Sequence, residues 1–153
     1  MKIKLDTSVE EIDAFFQKEA ERLDKLTIRM LARLGEMCVN EARDRPSEDS
    51  WNDQTGNLRS SIGYVIVRDG EIISLIGFAQ VKDGKEGKKT GKALALELAK
   101  AHSSGYALIV VAGMNYAEYV EAMENKVVLA SAELFAINEL PKMLVKLEQQ
   151  INK

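Results

Sequence analysis

From Ser8 to Arg43 no proline interrupts a series of apolar residues at Val9, Ile12, Phe16, Leu23, Leu26, Met30, Leu34 and Met37. These three- and four-residue steps and their multiples draw one stripe along an α-helix. Ser8-Val9-Glu10-Glu11 has the form of a capping box, in which the Ser8 hydroxyl accepts from the Glu11 amide and the Glu11 carboxylate reaches back to Ser8. A helix from Ser8 to about Arg43 is about 50 Å long, more than a small domain is wide. A coiled coil is one outlet for such length, since Val9, Phe16, Leu23, Met30 and Met37 share a heptad position. The companion seam alternates apolar Ile12 and Leu26 with Glu19 and Arg33, so it is half broken. The preferred reading buries Ile28, Leu31, Leu34, Met37 and Cys38 against a sheet. The charged half from Glu10 to Lys25 then projects or meets a neighbour.

At 153 residues one domain spanning 1–153 is expected, and folding at that length buries roughly 70% of the unfolded chain's surface. A net charge of −3 argues against a protein-wide attraction to nucleic acid but leaves room for a local basic patch. Cys38 is the single cysteine, which rules out an intrachain disulfide and a multi-cysteine metal site. Met1 to Asp6 lacks the apolar core of a signal peptide, and no apolar run is long enough to span a bilayer, so a protein made in the cytoplasm, with no membrane partner, is expected.

After a polar, turn-rich stretch from Asp44 to Gln54 that holds Pro46, two apolar runs, Ile62 to Val67 and Ile72 to Phe78, flank Asp69-Gly70. That dipeptide suits a two-residue type I′ hairpin turn. A regular hairpin sets Arg68 opposite Glu71, Ile66 opposite Ile73 and Tyr64 opposite Leu75. Ile62, Tyr64, Ile66, Ile73 and Leu75 then share one face, and Val65, Val67, Ile72, Ile76 and Phe78 the other. Both faces are apolar, so a second cover is needed beyond the long helix, from the C-terminal helix or another subunit. Trp51, in the polar stretch, either anchors that loop on the core or marks a partner site.

Val81 to Lys92 carries three glycines and Lys82, Lys85, Lys88, Lys89 and Lys92, and reads as a mobile basic loop. With the short helix of Ala93 to Ala101 it makes 81–104 look like an insertion. Its Gly87-Lys88 and Gly91-Lys92 pairs lack the leading glycine and the following Ser or Thr of a phosphate loop. Tyr106 to Ala112 reads as a buried strand, Asn115 to Met123 as helical or irregular, and Lys126 to Leu129 as a short strand. Ser131 to Ile151 reads as a C-terminal helix kinked or divided near Leu140 by Pro141. The fold class is α+β: a long N-terminal helix packed on a small antiparallel sheet built on a β-hairpin, with a C-terminal helix.

No complete catalytic set emerges. His102 is the single histidine and stands where the short helix gives way to Ser103-Ser104-Gly105, a place for a helix cap or a solvated side chain. Glu118 and Glu121 are spaced to share a helix face but have no second cluster at metal-ligand spacing. The chain is read as a non-enzyme, with no cofactor and no metal.

The joint between helix and hairpin, Thr55-Gly56-Asn57-Leu58-Arg59-Ser60-Ser61-Ile62, carries the clearest motif. Gly56 can take a positive φ, and Asn57 can bond its local backbone to redirect the chain. Leu58 and Ile62 are expected in the core. Arg59 is either a surface ion pair or a charged contact left for a partner. A second motif, Tyr116-Ala117-Glu118-Tyr119-Val120-Glu121, follows the apolar strand, its Tyr116 and Tyr119 serving either core packing or a subunit interface. Together, in this order and over most of the chain, the two motifs resemble those of the tail-completion or head-tail joining proteins of tailed bacteriophages, the gene-product-ten family of lambda-like phages. The resemblance implies a structural virion protein of phage or prophage origin, located at the head-tail junction. It implies a ring, usually of six copies, that completes the tail and touches the head connector and the tail-terminator or tail-tube proteins. In that setting Thr55, Gly56, Asn57, Leu58, Arg59, Tyr116, Tyr119 and Glu121 form motif and assembly surfaces, and the basic stretch touches an acidic partner or DNA in the channel. The alternatives are a small nucleic-acid-binding module using the same lysines and a regulatory dimer using the long helix.

Overall fold

The computed structural model describes residues 6–44, 53–114 and 128–153. The first element, α1 (Val9–Arg43), is one helix of 35 residues. Its N-terminus has both halves of the expected capping box: Glu11 N donates to Ser8 Oγ at 3.1 Å and Ser8 N to Glu11 Oε2 at 3.0 Å. Burial is confined to its second half, at Leu31, Leu34, Gly35, Cys38, Val39 and Ala42.

A one-turn helix, α2 (Asn57–Ser60), leads into β1 (Ile62–Arg68), and β2 (Glu71–Gly77) follows across the predicted turn. Asp69 and Gly70 have φ of 50° and 83°, the pair of left-handed residues that a type I′ turn requires. Asp69 Oδ1 accepts from Gly105 N at 2.8 Å, and Asp69 N donates to Gly105 O at 2.9 Å, so the hairpin tip is clamped to the loop ahead of β3 (Tyr106–Ala112). The sheet is antiparallel with order β2-β1-β3. Its central strand is buried from Ile62 to Val67, which is why that run is apolar on both faces.

The hairpin register departs from the regular one. Arg68 pairs with Glu71 and Val67 with Ile72, but Ile66 then pairs with Ser74, Val65 with Leu75 and Tyr64 with Ile76. Ile73 is the extra residue of a β-bulge, and beyond it the sides of β2 are exchanged. Leu75 therefore packs with Val65 and Val67 rather than with Tyr64. With apolar residues on both faces, the pattern specifies register weakly, which is why the slip was not visible in it.

The expectation for the second sheet face is corrected. An element the sequence reading did not name as a cover, α3 (Lys85–Ala99), packs on it: Ala95 and Ala99 meet Val65, Val67, Phe78 and Val111, while Ile72 on β2 stays 43% exposed. The stretch expected as a loop from Val81 to Lys92 is helical from Lys85 onward and continuous with the predicted short helix. Gly87, Gly91, Ala95 and Ala99 repeat at four-residue steps and are all buried, so the glycines are a close-contact face and not a sign of looseness.

The last helix, α4 (Ala130–Ile151), runs antiparallel to α1. Cys38 Sγ contacts Ala132 O at 3.8 Å near one end, and Arg22 Nη2 donates to Gln150 O at 2.8 Å near the other. The first cluster joins Leu34, Cys38, Leu58, Ile62, Tyr64 and Ile66 to Ala132 and Met143 of α4. Pro141 neither divides α4 nor ends it: the helix is continuous to Ile151. Its ring removes the amide that would meet the carbonyl of Ile137, a residue on the exposed side of α4. Val128 and Leu129, expected as strand, form a bend that leads into α4. Lys126, the turn-rich stretch around Pro46 with Trp51, and Asn115 to Met123 lie outside the described residues.

Candidate functional site

The Thr55–Ile62 motif is where α1, the sheet and α3 are tied together. Gly56 has φ of 79°, and a Cβ there would stand 2.0 Å from the carbonyl oxygen of Val81, so both conformation and space demand glycine. Asn57 does more than bond its local backbone. Its Oδ1 accepts from Gly87 N at 2.9 Å, satisfying an open amide in the first turn of α3 from 30 residues away. The N-cap residue of α3, Gly84, has no side chain to do this. Asp53 plays the same part for α2, its Oδ2 accepting from Arg59 N at 2.8 Å, and it is itself buried.

Leu58 and Ile62 enter the first cluster, as expected. Ser60 and Ser61 are fully buried and satisfied. Ser60 Oγ accepts from Val81 N at 2.8 Å, Ser61 Oγ donates to Leu58 O at 2.7 Å, and Ser61 O accepts from Gly113 N at 3.1 Å. Across from them α3 approaches to backbone contact: a Cβ on Gly87 would lie 1.8 Å from Asn57 O, and one on Gly91 2.4 Å from Ser61 O. Phe78 fills the adjoining space, its ring 2.8 Å from the Cβ position of Gly91 and 2.4 Å from that of Gly63.

Most of the motif is thus engaged internally. Thr55 is exposed, its Oγ1 accepting from Asn57 N at 3.3 Å. Arg59, expected as a contact left for a partner, is half-buried, and its Nε donates to Arg43 O at 3.2 Å, closing the end of α1. Tyr116, Tyr119 and Glu121 lie outside the described residues.

The five lysines separate. Lys82 is held, its Nζ donating to Asp53 O at 2.8 Å. Lys85, Lys88, Lys89 and Lys92 fall at i, i+3, i+4 and i+7 of α3 and share one side of that helix, beside the glycine face. No ion pair engages these four among the described residues. Both the lysine stripe and the glycine face follow helical spacing, a signal that the loop-like composition masked.

A second basic feature escaped the sequence reading, because its halves lie more than a hundred residues apart. Between α1 and α4 runs a groove of ≈ 150 Å³ lined by Arg29, Arg33, Lys142 and Lys146 over a floor that includes Met30, Met37 and Met143. Lys142 pairs with Glu139 at 2.7 Å. The other three have no ion pair among the described residues.

Tyr64 is buried on the sheet and donates to Glu36 Oε1 at 3.2 Å; burial first, then the Glu36 charge, push its hydroxyl up to about 12. Burial also raises the Cys38 thiol, with Glu41 adding to the effect. Tyr106 is raised by its hydrogen bond to Asp24, whose other oxygen holds Arg68. His102 lies exposed just past α3, its amide donating to Ala99 O at 3.1 Å. Among the described residues no cluster of His, Cys, Asp or Glu could hold a metal, and no helix is long and apolar enough to cross a membrane. Comparison with protein-family models, curated proteins and solved structures finds no match.

Proposed function

We propose that the chain is a structural protein of a tailed phage or prophage, working by assembly at the head-tail junction, where it completes the tail and joins it to the head. The observation that carries this reading is the ordered pair of motifs, Thr55 to Ile62 and Tyr116 to Glu121, and their resemblance to the tail-completion family. Two features of the fold are compatible with it. The joint is a rigid knot, as expected of an element that holds subunit shape. Large apolar side chains are left open on both long helices, Val9, Phe15 and Phe16 on α1 and Leu134, Ile137, Leu144 and Val145 on α4, and, less fully, at Ile72 and Ile76 on β2. The helix faces, the more exposed of these, are the surfaces this proposal offers to neighbours in a ring.

The test is genetic. Deleting the gene from the phage or prophage that carries it is expected to leave DNA-filled heads and separate tails in electron micrographs, with joining restored by supplying the protein. Intact virions from the deletion overturn the reading.

A second reading is favoured by the four-lysine side of α3, which is helical and has no ion pair among the described residues: a nucleic-acid contact, either inside the junction or as the protein's main role. Replacing Lys88, Lys89 and Lys92 together by Glu is expected to block joining while leaving the circular dichroism spectrum unchanged. In a gel shift with duplex DNA, binding that falls steeply with salt and is lost in this variant favours the nucleic-acid role.

A further inference from the structure

Among the described residues no other element packs on the N-terminal third of α1. The contact of Arg22 with Gln150 and Ile151 marks the level at which α4 ends, and the residues from Val9 to Glu21 continue past it for about 20 Å. Such a segment should be polar all round if solvent were its final environment. Instead Val9, Phe15 and Phe16 are 69%, 60% and 65% exposed, and the two rings stack edge to face with centroids 5.9 Å apart. Val9, Ile12 and Phe16 form one stripe. Asp13 lies one turn from Val9 and Phe16, and Glu19 one turn from Phe15 and Phe16, so carboxylates flank it. From Asp6 to Glu19 there are five carboxylates against the single Lys18.

The groove between α1 and α4 is the complement of this arm in both respects. Its methionine floor is apolar and adaptable in shape, and Arg29, Arg33 and Lys146 along its sides have no ion pair among the described residues. An amphipathic helix laid between two antiparallel helices is a recurring recognition geometry. The arm cannot reach its own groove, because arm and groove wall are successive parts of the same straight helix. A second copy of this chain supplies the occupant.

We propose that the arm of one copy, Val9 to Glu21 of α1, docks in the α1–α4 groove of the next, with Phe15 and Phe16 over the methionines and Asp13 facing Arg29, Arg33 and Lys146; Glu19 is already paired with Arg22 of its own helix at 3.1 Å. Each copy offers one arm and one groove, so the contact propagates head to tail and can close into a ring. It does not depend on the head-tail reading, since any self-assembling role would use it in the same way.

The test uses two full-length variants altered only at exposed or partly exposed positions. One removes the arm's anchors (Phe15→Ser with Phe16→Ser); the other reverses the groove (Arg33→Glu with Lys146→Glu). Wild-type protein is expected to associate in sedimentation runs up to about 100 µM. Each variant alone should keep the wild-type melting temperature yet dissociate at concentrations at least about tenfold higher. Mixed together they should form one-to-one complexes, because the groove of the first and the arm of the second are intact. Wild-type protein that stays monomeric over this range, variants that associate as the wild type does, or a mixture that forms no complex would each overturn the proposal.

Discussion

At the scale of single residues, the joint depends on side chains that are absent as much as on those present. Alanine normally favours an exposed helix by about 1 kcal/mol over glycine. At Gly87 the sign reverses, because the added methyl meets the Asn57 backbone. Gly87→Ala is expected to lower unfolding stability by roughly 1–3 kcal/mol in urea titrations. Asn57→Ala, which removes the cap on α3, should cost about 1 kcal/mol. Tyr64 gives a pH signature. Its folded-state value, about 12, lies above the ordinary value of 10.0, so its contribution is fully present below pH 10 and is lost as pH rises toward 12. Melting temperature should therefore fall through that interval, and less steeply in Tyr64→Phe. The roles of Gly56, Leu58 and Ile62 were legible in the sequence, since each follows from local conformation or apolarity. Those of Asn57, Arg59 and Asp53 were not, because their partners, Gly87, Arg43 and the α2 backbone, are set by tertiary contact.

At the scale of elements, periodicity was a better guide than composition. The capped 35-residue helix and the hairpin turn came directly from spacing and turn chemistry; β3 came from its β-branched run, which marked the strand but overstated its burial, since within it Val111 alone is buried. The first half of α3 was hidden because glycine and lysine together look like loop, whereas here each takes its own side of a helix. The hairpin slip at Ile73 was hidden for another reason, since two apolar faces do not distinguish one register from its neighbour. Pro141 was expected to kink or divide α4; it does not divide it, and the carbonyl it leaves unmet falls on a solvent-facing turn. Restoring the amide with Pro141→Ala should raise stability by roughly 1–3 kcal/mol, read from the shift in the denaturant midpoint.

For the whole molecule, β1 is shared between two hydrophobic clusters, with Tyr64 and Ile66 facing α1 while Val65 and Val67 face α3. Cores that share a strand are expected to melt together. Ile66→Ala should cost about 2–5 kcal/mol and displace one common transition, followed equally by far-ultraviolet circular dichroism and tyrosine fluorescence. Separate transitions would show that α3 and its sheet face unfold independently. The α1 helix stands partly outside this cooperative unit, since neither cluster takes a side chain from it ahead of Met30. Its leading turns can therefore serve as a ruler. Adding or deleting a heptad in them would move whatever they hold by about 10 Å and rotate it by about 20°, while every contact of the core kept its place. The reach of the protein is in this way adjustable separately from its fold.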